Sequence, residues 1–149
     1  MKKATSNLLL LDVNVLLAIA WPNHQFHAAA IARLESSDRW ATCALTQLGF
    51  IRLSSNPAVV PGPRPPGEAA ALLHLMTRDA QHLYLESLPS PVAGDFGEVL
   101  ERILGHGQVA DSYLLALARR HKATFLTFDA RMKHLKAPGA RHEILGQPA

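Results

Sequence analysis

At 149 residues, 48% of them hydrophobic, the chain is long enough to bury one substantial core and too short to suggest a second domain. Its one cysteine, Cys43, excludes an intrachain disulfide and a multi-thiolate zinc site, which fits a reducing cytoplasm. A formal charge of +3 permits attraction to a polyanion without requiring it.

The opening MKKATSNLLLLDVNVLLAIA has the lysines and apolar run of a signal peptide, but Asp12 and Asn14 interrupt that run. No later stretch reaches the roughly 18–20 apolar residues that span a bilayer, so a soluble, cytoplasmic protein with no membrane partner is expected. Residues 8–13 read as a short buried parallel strand. Residues 24–35 have helical spacing, with Asn23 as the expected cap.

WATCALTQLGFIRLSSNP starts strand-like, turns near Thr42 to Ala44 and continues as a helix expected to present Leu45, Leu48, Ile51 and Leu53 to the core. PAVVPGPRPPG is a loop, and Glu68 to Arg78 read as the next helix. HLYLE alternates like a strand, and DFGEVLERIL reads as a helix capped by Asp95. Ala110, Tyr113, Leu114, Leu117 and Ala118 then mark one face of a helix that feeds the strand ATFLTF, which runs out at Asp129; HEIL is a weak last strand. Alternating strands and helices predict an α/β fold with a mainly parallel sheet of four to five strands flanked by helices.

In such a sheet ligands bind outside the carboxyl ends of the strands. Asp12 and Asp129 sit where strands run out, and Asp111 lies in the first turn of the helix before the last of these strands. Each has an ordinary explanation as a cap or turn residue. Together they form a carboxylate cluster whose mutual repulsion calls for a cation, and oxygen ligands of this kind suit Mg²⁺ or Mn²⁺. The eight histidines are scattered; His24 and His27 lack a third ligand nearby and His106 stands alone, so no histidine metal site is expected.

LLLLDVNVLLA, CALTQLGFIRLSSNP and QVADSYLLALARRHKATFLTFD, taken in order, resemble the successive signatures of PIN-domain ribonucleases of the VapC toxin type. The resemblance covers nearly the whole chain and implies a PIN-like α/β fold. It also implies Asp12, Asp111 and Asp129 as catalytic, metal-binding acids, with Mg²⁺ or Mn²⁺ as cofactor. The family's second acid is missing, and Gln47 stands at its expected place, offering only a neutral amide. Asn14 is expected to orient Asp12, and Thr127 to bond a water or phosphate.

The implied reaction is hydrolysis of an RNA phosphodiester by in-line attack of water, leaving 5′-phosphate and 3′-hydroxyl ends. Arg52, Arg119, Arg120, Lys122, Arg131 and Lys133 are the expected grips on the RNA backbone. A homodimer is implied, as is a cognate VapB-type antitoxin that would fill an apolar groove and bring a blocking side chain to the acids. Two rivals differ in class. A non-catalytic PIN-like or receiver-like binding domain is favoured by Gln47, and a haloacid-dehalogenase-like phosphatase needs an aspartate where Asn14 stands.

Overall fold

The computed structural model describes residues 7–103, 105–135, 137 and 139–146. The lysines that open the chain, Leu104 of DFGEVLERIL and Lys136 of the basic run near the end lie outside the described residues.

Five strands form one sheet: β1 (Leu8–Leu11), β2 (Arg39–Cys43), β3 (His82–Leu85), β4 (Thr124–Thr127) and β5 (Arg141–Ile144). Their order is β3-β2-β1-β4-β5, and every neighbouring pair is parallel. Parallel pairing needs crossovers, which the helices α1 (Val13–Ala20), α2 (His27–Glu35), α3 (Ala44–Ser54), α4 (Pro66–Met76), α5 (Gly94–Glu101) and α6 (Val109–Arg120) supply. Short 3₁₀ turns at His106–Gln108 and Ala130–His134, neither anticipated, precede α6 and follow β4.

The central strand explains its own composition. Leu8 and Leu10 pack into a core with Phe96, Leu115 and Phe125, whereas Leu9 and Leu11 pack into a second core with Val15, Phe50 and Leu126. Side chains alternate across a strand, so a strand covered on both faces must be apolar at every position. Fully burying each leucine is worth about 1.5–3 kcal/mol.

Three local expectations are corrected. The second helix starts at His27, not after Asn23: Phe26 holds the N-cap position without a side-chain bond, because the backbone first turns, Phe26 N donating to His24 Nδ1. Asp95 lies in the first turn of α5, but Ala93 is the N-cap residue. In α3 the inward row is Thr46, Phe50 and Ser54, while Leu45 and Leu48 are 43% and 65% exposed.

The last correction has a clear cause. Thr46 Oγ1 accepts from the backbone N of Cys43 at 3.0 Å and donates to its carbonyl, a reciprocal cap that sets the helix's rotation. On the opposite flank from Gln47, Gly49 lies against α1; a Cβ there would stand 2.6 Å from Cγ2 of Val13.

Candidate active site

Asp12 is the residue at which β1 becomes α1. Its backbone N donates to Leu126 of β4 at 2.9 Å, and its Oδ1 accepts from Val13 N at 2.8 Å, capping the helix. The other carboxylate oxygen accepts from the hydroxyl of the fully buried Thr127 at 2.7 Å. Thr127 Oγ1 also accepts from Asn14 Nδ2 at 3.2 Å and Asp129 N at 3.1 Å, while Asn14 Oδ1 accepts from Phe128 N.

A hydroxyl has one donor and two acceptor positions, and here all three are used. Thr127 therefore joins Asp12 to the backbone of Asp129 and has no capacity left for a water or phosphate, contrary to expectation. Asn14 makes no hydrogen bond to Asp12 itself and is linked to it through the Thr127 hydroxyl.

Asp129 follows β4 and caps the 3₁₀ turn, its Oδ1 accepting from Arg131 N. The Arg131 guanidinium grips the same carboxylate, with Nη2 to Oδ2 at 2.7 Å and Nε to Oδ1 at 3.0 Å. Asp111 stands in the first turn of α6.

The charges identify these three as one electrostatic cluster. Burial pushes the Asp111 carboxyl up to about 6, with the charges of Asp12 and Asp129 adding to the rise and Arg131 opposing it. Burial also raises Asp12, against the bonds from Thr127 and Val13. Asp129 is held below the usual carboxylate range, first by its hydrogen bonds from Arg131.

An all-carboxylate oxygen set with residual repulsion fits a hydrated divalent cation. Among the described residues no three His, Cys, Asp or Glu side chains are gathered closely enough to hold an ion as they stand. Since Arg131 covers both oxygens of Asp129, cation binding by all three acids requires the guanidinium to move off.

Gln47 is not turned to this cluster. It lies about 200° around α3 from Gly49, which faces α1, and its Nε2 donates to Thr42 Oγ1 at 3.0 Å. The basic residues are divided as well. Arg119 and Arg120 end α6, about 12–14 Å along the helix from Asp111 at 1.5 Å per residue, and Lys122 follows them. Arg119 pairs with Asp95 at 3.3 Å, and Arg120 lies over the Phe96 ring.

Arg52 is in the last turn of α3. Of the six expected RNA grips, Arg131 and Lys133, on the turn after Asp129, are the ones at the acids' end of the sheet among the described residues. Arg131 was expected as a grip on RNA; its pairing with Asp129 was missed, although an aspartate capping a turn two residues before an arginine is a legible signal.

The PIN domain family model matches residues 9–138. The chain belongs to the PIN-domain family. It is 39% identical over 132 residues to Ribonuclease VapC39 of Mycobacterium tuberculosis, covering 87% of this chain and 94% of that one. Ribonuclease VapC44 of the same organism is 39% identical over 140 residues, covering 91% and 96%.

Two solved structures share the fold at 12% identity. VapC20 of M. tuberculosis, described as a sarcin-ricin loop cleaving toxin, gives a TM-score of 0.63 over 89% of this chain and 98% of that one. VapBC2 of Rickettsia felis, bound to a promoter DNA fragment, gives 0.61 over 93% and 98%. This PIN domain thus has the parallel α/β architecture expected from its sequence.

Proposed function

We propose that this PIN domain is a divalent-metal-dependent endoribonuclease, the toxin of a toxin-antitoxin pair. What supports the reading is that Asp111, raised to about 6 first by burial, also feels the charges of Asp12 and Asp129, in a chain 39% identical to ribonucleases of the VapC type. Asp12, Asp111 and Asp129 would hold Mg²⁺ or Mn²⁺. When bound, the ion supplies Lewis acidity, making water a stronger nucleophile and offsetting charge on the phosphoryl oxygens.

The chain's own residues orient and bind. Thr127 fixes the Asp12 carboxylate and, through the Asp129 amide, the start of the turn that carries the third acid. Arg131 neutralises the Asp129 carboxylate, and its planar fork, once off that carboxylate, would suit an RNA phosphate. Lys133 adds a second positive charge beside the same strand end.

The antitoxin reading is supported by an apolar cavity of about 400 Å³ lined by Leu45, Leu88, Pro89, Val109, Ala110 and Tyr113. It borders the first turn of α6, so an apolar segment lying there passes beside Asp111. A cytoplasmic homodimer completes the reading, and light scattering of the purified protein checks its stoichiometry.

The deciding assay compares the native protein with Asp12→Ala and Asp111→Ala on single-stranded and looped RNAs in Mg²⁺ or Mn²⁺. Native protein cleaves, chelation stops it, and each variant is inactive. Cleavage that survives both substitutions refutes the site; no cleavage of any RNA by native protein refutes the activity.

A further inference from the structure

A second concavity lies on the other flank of α3, between α3, α4 and the edge strand β3. Its volume is about 440 Å³, within the roughly 300–1,000 Å³ range of small-ligand sites. Ile51 and Leu73 supply apolar walls; Gln47, His74, His82 and Tyr84 bring polar or aromatic groups to it. Tyr84, 41% exposed, leaves an aromatic ring accessible to solvent.

The polar groups are ordered by a chain of hydrogen bonds that fixes what the cavity offers. Nε2 of the His82 ring lies 2.8 Å from Thr42 Oγ1. In the tautomer with the ring proton on Nδ1, Nε2 accepts from the Thr42 hydroxyl. That hydroxyl has no proton left for Gln47, so it accepts from the amide Nε2 at 3.0 Å. The amide is thereby oriented: its Oε1 and its second N–H remain for a ligand. Thr42 is fully buried, so breaking this chain strands a polar group.

We propose that this cavity receives an unpaired nucleobase of the RNA, read by the Gln47 amide edge and His74 and packed beside Tyr84; the inference rests on the ribonuclease reading. A carboxamide presents an acceptor beside a donor, the pattern that pairs with the edge of a base, and single-stranded RNA is recognised by splaying bases onto aromatic and apolar side chains. Among the described lining residues none is a carboxylate, and the Asp79 charge acts on His82.

Position agrees with chemistry. Gly49, opposite Gln47 on α3, touches Val13, the neighbour of Asp12, so the cavity and the acids flank one helix, a body about 10–12 Å across. A strand cut at the acids would send a base near the cut, not the scissile nucleotide itself, into the cavity. Gln47 is then a specificity residue and not a vestige of a lost acid.

The test uses the full-length, chelator-treated protein and four probes, AMP, GMP, CMP and UMP, with ribose 5-phosphate as the base-free control. Backbone and side-chain NMR shifts are followed at Gln47, His82 and Tyr84. Saturable shifts there that differ between bases by about fivefold or more in affinity, the discrimination expected of one hydrogen bond, support the site. They should vanish in Gln47→Ala and weaken in His74→Ala, a substitution at an exposed position that leaves the fold intact.

Equal shifts with ribose 5-phosphate, no shifts at these residues with any base, or shifts produced only by an antitoxin-derived peptide overturn it. The readout needs neither metal nor cleavage. A protein that binds bases here but cuts no RNA sinks the nuclease reading, whereas one that cuts RNA with no base effect sinks only this inference.

Discussion

The two ends of α6 carry opposite charge and do opposite things. At its first turn Asp111 is driven toward neutrality by burial and by two other aspartates, an arrangement that costs stability and makes chemistry available. At its last turn Arg119 and Arg120 complement the helix dipole, pair with Asp95 and lie over Phe96. One end stores unfavourable electrostatics; the other relieves it. Charge near a catalytic segment in sequence is therefore no guide to charge near the site, because a helix of 12 residues carries it to the other edge of the sheet.

The largest effect that tests this contrast is at Asp111. Asp111→Asn should lower RNA cleavage by about 100-fold or more, since it removes a charge aimed at the reacting centre, while Arg120→Ala leaves turnover within about twofold. The same variant should stabilise the metal-free protein. The folded-state value of about 6 lies above the ordinary 3.8, so between these values the folded state holds more protons than the unfolded one, and stability falls as pH rises through that window.

Asp111→Asn should therefore melt higher than native protein at pH 7, by about 1 kcal/mol after discounting for solvent, or roughly 3–4 °C. The gain should disappear as pH falls to about 4. A melting series across that range in chelator decides it; a gain that does not shrink on acidification shows that repulsion at Asp111 is not its source.

Next in size is Thr127→Val, which keeps the shape and removes the hydroxyl that serves Asp12, Asn14 and the Asp129 amide. Leaving buried partners unsatisfied should cost about 1–3 kcal/mol in denaturant unfolding and weaken Mn²⁺ binding by about 10–100-fold. Unchanged metal affinity would show that the three acids are held without it.

At the other end of α6, Lys122 sits in the left-handed region at φ 55°, with Ala123 N bonded back to the Ala118 carbonyl. Glycine suits that position, so Lys122→Gly should add about 0.5–1 kcal/mol and leave RNA cleavage unchanged. Loss of cleavage would return Lys122 to the RNA interface. The smallest effect is expected of Gln47→Glu: its side chain belongs to the α4 flank, so calorimetric Mn²⁺ affinity should stay within about twofold of native. A clear gain would restore that position to the metal site.

The sheet was legible because parallel strands buried on both faces leave apolar runs, and Asp12 and Asp129 stood out because they follow such runs, whereas Asp111 was read from its place in the first turn of a helix. What stayed hidden depended on rotation and handedness in three dimensions. The face of α3 was misread because leucines were weighed above Thr46, whose hydroxyl cap fixes which row turns inward. Arg119, Arg120 and Lys122 lie at the end of α6 away from Asp111, because sequence proximity says nothing about which end of a helix meets the site. The Thr42 to His82 bond joins residues 40 positions apart and has no local trace.

Gly49 gives the molecule a mechanical constraint as well as a packing contact. With no side chain at that point, α1 and α3 touch nearly backbone to branch, and the stiff Val13 cannot yield far to a newcomer. A methyl group there acts as a wedge under the turn that begins with Asp12. Alignment of the proposed acid site thus has a tolerance set by a missing carbon, and drift at this one contact would shift Asp12 without altering it.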